Sequence, residues 1–452
     1  MTGDPAAPPL PPATFFGQPR GLAYLAFTEA WERFSYYGMT ALLTLYMIGQ
    51  LLLPGHVEHI AGFAAFRGAV ERLTGPLSNQ ALASQVFGLY SGFVYFTPVL
   101  GGWLADRFIG RRAAIVSGAL LMSGGHVAMA FDRSFLLALL LLIVGCGLLK
   151  GNISAQVGEL YRRDDEAGRT RGFAIFSMAV NFGAVAGPVA CGFLADRYGW
   201  HVGFGAAAVL MLCGLLTYLA GIRHLPGDRQ PSRAAAPAAP LTRAEWRRVA
   251  ALTAVMGITI FQSIAYYQIS NVGLVWIEGN VDLALAGFRV PVPWFSAVDP
   301  FFSIVGVPAL FALWRRQAAH RGEPGDLAKI GIGAAIAAAS NLVLAVAALV
   351  GGRVGLIWPL AYCAGLGIAF LYYWPTLLAL VAGAAPKRLV STLMGCAFLS
   401  LFVGNTVIGW IGGYYERMGH AAFWAMHAAI AATGAVLILL FGRRLGHVLS
   451  SR

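Results

Sequence analysis

Along most of the chain, apolar positions come in uninterrupted runs rather than at the three-and-four spacing of a half-buried soluble helix. Polar positions collect between the runs. A hydrocarbon core about 30 Å thick requires about 20 apolar residues of a spanning helix. Runs of that kind predict helices near 21–48, 84–105, 112–132, 134–156, 171–195, 200–222, 248–272, 292–314, 328–350, 354–383, 390–413 and 421–442. The fold class that follows is an all-α membrane protein with twelve transmembrane helices. Between the sixth and seventh runs, GDRQPSRAAAPAAPLTR is polar, basic and rich in Pro and Ala. The expected organisation is a Pro-rich tail over 1–20, a six-helix bundle over 21–222, a linker over 223–247, a second six-helix bundle over 248–446 and a short tail over 447–452.

Composition agrees with a bilayer solvent: 58% of the 452 residues are hydrophobic and 12% charged, whereas soluble domains carry about 25% charged residues. The net charge of +12 does not point to nucleic acid, because the cations sort by loop. Arg107, Arg111, Arg112, Arg162, Arg163, Arg169, Arg171, Arg315, Arg316, Arg321, Lys329, Lys387 and Arg388 fall at one end, with the linker and C-terminal arginines. The opposite loops keep Arg67, Arg72, Arg133, Arg197, Arg289, Arg353 and Arg417. The bias is about three to one, and the positive-inside rule then places both termini in the cytoplasm of a multi-pass protein of the cell (inner) membrane. The odd set of five cysteines falls inside predicted helices, as free buried thiols do. The N-terminus lacks the basic and apolar regions of a cleaved signal. His126 and His427 read as packed, neutral histidines. With no Gly-rich phosphate loop, catalytic triad pattern or Cys/His metal cluster, neither an enzyme nor an ATP-driven pump is indicated, and no cofactor is expected.

GWLADR at 102–107 returns as GFLADR at 192–197, three predicted helices later and therefore at the opposite face of the membrane. An inverted three-helix repeat inside a six-helix half produces that placement. The first copy continues as GGWLADRFIGRRAAI, which resembles the loop signature of the major facilitator superfamily. That resemblance implies two six-helix halves around a midplane cavity, with an aspartate and basic residues clasping neighbouring helix ends.

The first run contains an anomaly, TEAWERFSYYG at 28–38. Each charge in the middle of a span costs about 2.5–3.5 kcal/mol even on the gentlest insertion scale. On a helix Glu29, Arg33, Tyr36 and Tyr37 share a face, so Glu29 can bond Arg33 and Glu32, at the edge, can reach Tyr36. Lys150, one of three lysines, follows the apolar run FLLALLLLIVGCGLL. The plain alternatives are a salt bridge that only packs the helix and a lysine that snorkels to a nearby helix end. Taken together, Glu29, Glu32, Arg33 and Lys150 sum to zero charge. One added proton leaves the group positive and ready for an anion, which describes a proton-sensitive anion site.

ExxERFxYYG at Glu29–Gly38 resembles the first-helix motif of the proton-dependent oligopeptide transporter family. GLLKGNISAQVGELY, GFAIFSMAVNFGAVAGPVACGFLADRYGWHVGFG and AAPKRLVSTLMGCAFLSLFVGN are similar to that family's fourth-to-sixth and eleventh helices, so the similarity covers most of 20–440. The resemblance implies a proton-coupled symporter for di- and tripeptides or peptide-like carboxylates, working by alternating access, with the proton as coupling ion. It further implies proton coupling at Glu29 and Glu32, and substrate-carboxylate binding at Arg33 and Lys150. Tyr36, Tyr37, Tyr95, Asn181 and Gln268 match pocket positions. The family's tenth-helix glutamate, which holds a peptide's amino terminus, falls here on Phe370, and no Asp or Glu occurs between Asp326 and Glu416. The eleventh-helix tryptophan is Ala397, and a fifth-helix pocket tyrosine is Ser177. Asp299 stands in the eighth helix where the family has asparagine. It is either a relocated ammonium anchor, a second proton carrier, or a protonated group bonding as Asn would. Trp374–Pro375 marks a place where a kink can support gating. Two other functions stay open: a proton-coupled transporter of a non-peptide carboxylate, and a non-transporting sensor on the same fold.

Overall fold

The computed structural model describes residues 17–162, 165–227, 240–320 and 322–450. Most of the 1–20 tail, residues 228–239 of the linker, and Arg163, Arg229, Arg233, Arg321 and Arg452 of the charge asymmetry lie outside the described residues. Twelve long helices are found among those described: α1 (Arg20–Tyr46), α3 (Asn79–Leu104), α4 (Arg111–Ala128), α5 (Phe135–Glu159), α6 (Glu166–Tyr198), α7 (Trp200–Gly221), α8 (Arg243–Tyr267), α10 (Val298–His320), α11 (Asp326–Val350), α12 (Ile357–Ala384), α13 (Val390–Gly412) and α14 (His420–Ser450). Nine are long and apolar enough on their own to cross a membrane. The other three are α1, α3 and α4. In α1 the Glu29–Glu32–Arg33 group lowers the hydropathy, in α3 Gly, Ser, Gln and Tyr dilute it, and in α4 Arg111, Arg112 and His126 do. Leu349, Leu439 and Met178 are each more than 70% exposed, which in water would be a liability and in lipid is the expected outer surface.

Three features were not expected from the apolar runs. A short helix, α2 (Phe63–Thr74), lies between the first two spans with a mostly exposed surface. The seventh span is broken: α8 ends in a 3₁₀ turn at Gln268–Ser270, and the short α9 (Val272–Asn280) resumes the path. Asn271 at the break has φ −111° and ψ −104° and donates its side-chain amide to Ser84 Oγ at 2.6 Å. Polar side chains that bond locally or to a neighbour compete with the helix ladder, and QISN supplies three of them. Beyond α9, strands β1 (Ala284–Leu285) and β2 (Phe288–Arg289) form an antiparallel hairpin. Its two turn residues, Ala286 and Gly287, have φ of 49° and 82°, as a two-residue turn between twisted strands demands. Where the linker ends, Thr242 and Glu245 form a reciprocal capping box that starts α8. Pro375 is contained within α12.

Both LADR repeats end a helix in the same way. Gly110 after the first and Gly199 after the second have φ of 80° and 95°, and each begins the next helix. Their aspartates do different work. Asp106 meets Arg111 at 3.2 Å, and the same guanidinium reaches Glu159 on α5 at 2.6 Å, so three helix ends are clasped. At the opposite end Asp196 meets Arg289 of the hairpin at 2.7 Å, and Arg289 also holds Glu278 at 2.6 Å. That contact joins the first six long helices to the last six.

Other joints between the two sets gather at that same end. Gly88 of α3 and Gly409 of α13 touch backbone to backbone: a Cβ on Gly88 would lie 2.5 Å from Gly409 Cα, and one on Gly409 would lie 2.9 Å from Gly88 Cα. A Cβ on Gly412 would overlap Ser84 Oγ. Gln80 donates to the Gly412 carbonyl at 3.2 Å, Ser78 bonds Glu416, and Trp294 donates its indole N–H to the Val189 carbonyl of α6 at 2.9 Å. The bundle is therefore closed at the end where α3 begins and α6 and α13 finish. Replacing Gly409 by Leu should cost about 1–3 kcal/mol by overpacking and lower the thermal midpoint of the purified protein. Gly205, whose missing Cβ has open space around it, should accept Leu without change. Equal midpoints for both variants would contradict the contact.

Candidate functional site

The charges of α1 sit where packing against α6 and α7 is tightest. A Cβ on Gly183 of α6 would lie 2.6 Å from Arg33 Cβ and 2.7 Å from the Ala30 carbonyl, and one on Gly187 would lie 2.4 Å from the Phe34 carbonyl. Gly38 of α1 in turn faces Cys191 Sγ. This small-residue stripe at four-residue spacing lets two membrane helices approach closely. On the other side of α1, Ser35 donates to the Ala207 carbonyl of α7 at 2.8 Å. The helix is thus fixed in rotation, and its charged face is set.

Glu29, Glu32 and Arg33 are all buried. Arg33 Nε lies 3.1 Å from Glu29 Oε1 and also bonds Glu32 Oε2. The expected Glu32–Tyr36 contact is not the one formed: Glu32 turns to the guanidinium, because an opposite charge adds a Coulomb attraction that a phenol lacks, and that attraction is largest where the dielectric is low. Glu29 Oε2, Glu32 Oε1 and Arg33 Nη2 have no partner. Buried polar atoms of this kind are normally satisfied, so the group retains two acceptors and one donor to offer a proton or a ligand.

Lys150 does not snorkel. It precedes the end of α5 by nine residues, Tyr95 precedes the end of α3 by nine, and Glu29 follows the start of α1 by nine. At 1.5 Å per residue all three sit about 13 Å below the same end of the bundle. Lys150 Nζ is instead over the Tyr95 ring at 4.5 Å and the Tyr36 ring at 5.9 Å, and Arg33 Cζ is over Tyr36 at 5.4 Å. Tyr37 packs edge-on against Tyr36 with ring centroids 5.1 Å apart.

From here a line of phenols crosses to the second set of helices. The Tyr95 and Tyr267 hydroxyls are 3.2 Å apart, Tyr267 packs edge-on against Tyr266, and Tyr266 bonds Asp299. Phe370 stacks on the Tyr266 ring at 5.4 Å. Gly367, one turn before Phe370 on α12, brings its backbone onto Asp299, since a Cβ there would lie 2.3 Å from the Asp299 carbonyl oxygen. Sequence reading missed Tyr266 and Tyr267, although both stand beside Gln268 in YYQIS. Gln268 is fully buried, and both atoms of its amide lack a partner. Asn181 is half-buried on α6, two residues before Gly183. Ser177 is exposed, while Ala397 is buried with Leu393 and Leu252 in an apolar cluster. His126 and His427 are fully buried, and all five cysteines are free.

Two apolar cavities, of about 370 and 390 Å³, lie between α6, α10 and α12 and between α8 and α14. Neither is lined by the four charges. The first includes Ala297 and Val298, the two residues before Asp299.

The sequence profile of the POT family matches residues 112–239 and 237–418. The transporter YclF of Bacillus subtilis (strain 168) is 27% identical over 95% of this chain and 95% of its own length. A di-/tripeptide transporter of Lactococcus lactis subsp. cremoris is 27% identical over 94% of this chain and 96% of its own. A crystal structure of a peptide transporter POT in complex with sulfate superposes with a TM-score of 0.86 at 25% identity, covering 98% of both chains. The profile spans well over half of the sequence and the fold agrees from end to end, so this all-helical membrane protein belongs to the POT family of transporters.

Proposed function

We propose that this protein is a proton-coupled symporter of di- and tripeptides or peptide-like carboxylates. The observation that carries the proposal is the line of groups from Glu29, Glu32 and Arg33 through Lys150 and Tyr95 to Tyr267, Tyr266 and Asp299. It places cations at one end and a carboxylate at the other, on opposite halves of the bundle. A peptide has the matching polarity.

Arg33 is held by two carboxylates, and Lys150 rests on ring faces rather than on an anion. Proton arrival at Glu29 or Glu32 removes one of the charges holding Arg33. The substrate carboxylate then takes the vacated guanidinium edge and Lys150. Pairing in this low-dielectric setting offsets the desolvation of both ions. With the carboxylate bound, the group is neutral again, and the halves can exchange closure of one end for closure of the other. An arriving proton gains about 2.3 kcal/mol per 100 mV of membrane potential, enough for tens-fold accumulation. The relative bound to sulfate supports an anion-accepting site in this fold. The arginine bias supports cytoplasmic termini in the cell membrane, which makes the closed end the outer one.

Asp299 takes the role of ammonium anchor, replacing the acid absent at Phe370, with Tyr266 orienting its carboxylate. Gln268, Tyr37 and Asn181 contribute pocket walls. The aromatic stack of Phe370 on Tyr266 favours a second reading, a carboxylate substrate without a free amine, in which Asp299 only bonds Tyr266.

Three substitutions test the mechanism in proteoliposomes with labelled dialanine. Glu32→Gln should abolish accumulation driven by an inward proton gradient while leaving counterflow exchange within about twofold. Lys150→Ala should weaken substrate binding at least about tenfold, a loss of 1.4 kcal/mol or more, and unaltered affinity would remove Lys150 from the site. Asp299→Asn should lower dialanine affinity about tenfold but spare an N-acetylated analogue, which separates an ammonium anchor from a proton carrier. Absence of any gradient-driven dialanine uptake by the folded wild type, with uptake of amine-free carboxylates, would favour the second reading.

A further inference from the structure

The cavity between α8 and α14 lies far from the transport machinery, at the end of the bundle where the basic loops gather. Its walls are Ala254 and Ile258 of α8 with Leu437, Phe441 and Leu445 of α14, and Arg444 lines it as well. The volume is about 390 Å³. On α8 the half-buried and exposed positions 247, 250, 254 and 258 recur at helical spacing, so Arg247 continues the groove wall toward the helix start. Arg444 is six residues from the end of α14 and Arg247 four from the start of α8, which sets both guanidinium groups about 6–9 Å from the helix ends. Trp246 beside them is 58% exposed, the placement of an aromatic anchor at a membrane–water boundary.

The charge here is uncompensated. Among the described residues, none of Arg243, Arg247, Arg248, Arg443 and Arg444 has a carboxylate within ion-pair distance. The nearest candidate on α8, Glu245, is spent on Arg388 at 2.6 Å and on the capping box. Arg248 Nε is buried and has no partner. An apolar trough that runs up to unpaired guanidinium groups is matched by a molecule with a hydrocarbon tail and an anionic head. Free phosphate would use the arginines and leave the trough idle, and a zwitterionic lipid would bring its own cation to a site already rich in them.

We propose that this groove seats an anionic phospholipid, with an acyl chain between α8 and α14 and the phosphate on Arg247 and Arg444. In the orientation argued above the lipid comes from the inner leaflet; the binding itself does not depend on that orientation or on the transported substrate. The seat joins the first helix of the second half to the last one, so its occupant is part of that half's wall.

Native mass spectrometry of the full chain, titrated with phosphatidylglycerol or with phosphatidylethanolamine of the same acyl chains, reads the site directly. Phosphatidylglycerol should be retained at least about tenfold more tightly. R247Q/R444Q should weaken it about 30-fold, roughly fivefold per arginine, with an unchanged thermal midpoint. A254W keeps every charge but fills the trough, and it should displace the lipid too. Equal retention of the two lipids, or undiminished phosphatidylglycerol binding by either variant, would overturn the proposal. So would competition by glycerol 3-phosphate as effective as that by the lipid, which would identify a bare phosphate site.

Discussion

Everything in this bundle is arranged around an ion group that hydrocarbon would reject. Three charges within five residues of α1 are tolerable only because Arg33 is held by both Glu29 and Glu32 and because α6 presses glycine, not side chain, against them. Removing one partner of a buried pair typically costs several kcal/mol. The same constraint explains why α1 is pinned on both sides, by the Gly183–Gly187–Cys191 stripe and by Ser35 on α7. A helix free to rotate would carry its charges into lipid.

The two halves treat their charges differently. On the first, cation and anion are close and compensating, with single atoms left unmet. On the second, Asp299 has a phenol for a partner, and Phe370 stacks on that phenol. The phenols between them form a bridge of hydroxyls and ring faces without formal charge. Such a bridge connects the two polar ends without the desolvation penalty that a continuous row of ions would carry.

Much of this was legible in the sequence. Twelve apolar runs became twelve long helices, and the motif around Glu29 and Arg33 located the ion group. Lys150 stood out by being a lysine where lysine is costly. What stayed hidden had three sources. The amphipathic α2 is too short to register as a span, and its neighbours' apolarity masks it. The break at Gln268–Asn271 depends on Asn271 finding Ser84 on α3, a partner 187 residues away. Tyr266 and Tyr267 looked like ordinary span aromatics, since only tertiary structure puts a hydroxyl opposite Tyr95 and another on Asp299. The Glu32–Arg33 bond is not legible from spacing, because helical spacing counts neighbours three and four apart, whereas the bond formed follows charge.

The glycine crossing of α3 and α13 has a mechanical meaning. Gly88 and Gly409 leave no room for a Cβ between them, and at such a contact a gap of 0.5–1 Å forfeits about a quarter to a half of the dispersion attraction. A surface of long side chains would stretch and follow such a movement. Bare backbone cannot. Whereas the Arg289–Asp196, Gln80 and Trp294 contacts at the same end can follow a small movement, that crossing therefore behaves less like a spring than like a pair of flat plates. Such a contact favours two occupied positions over a continuum between them.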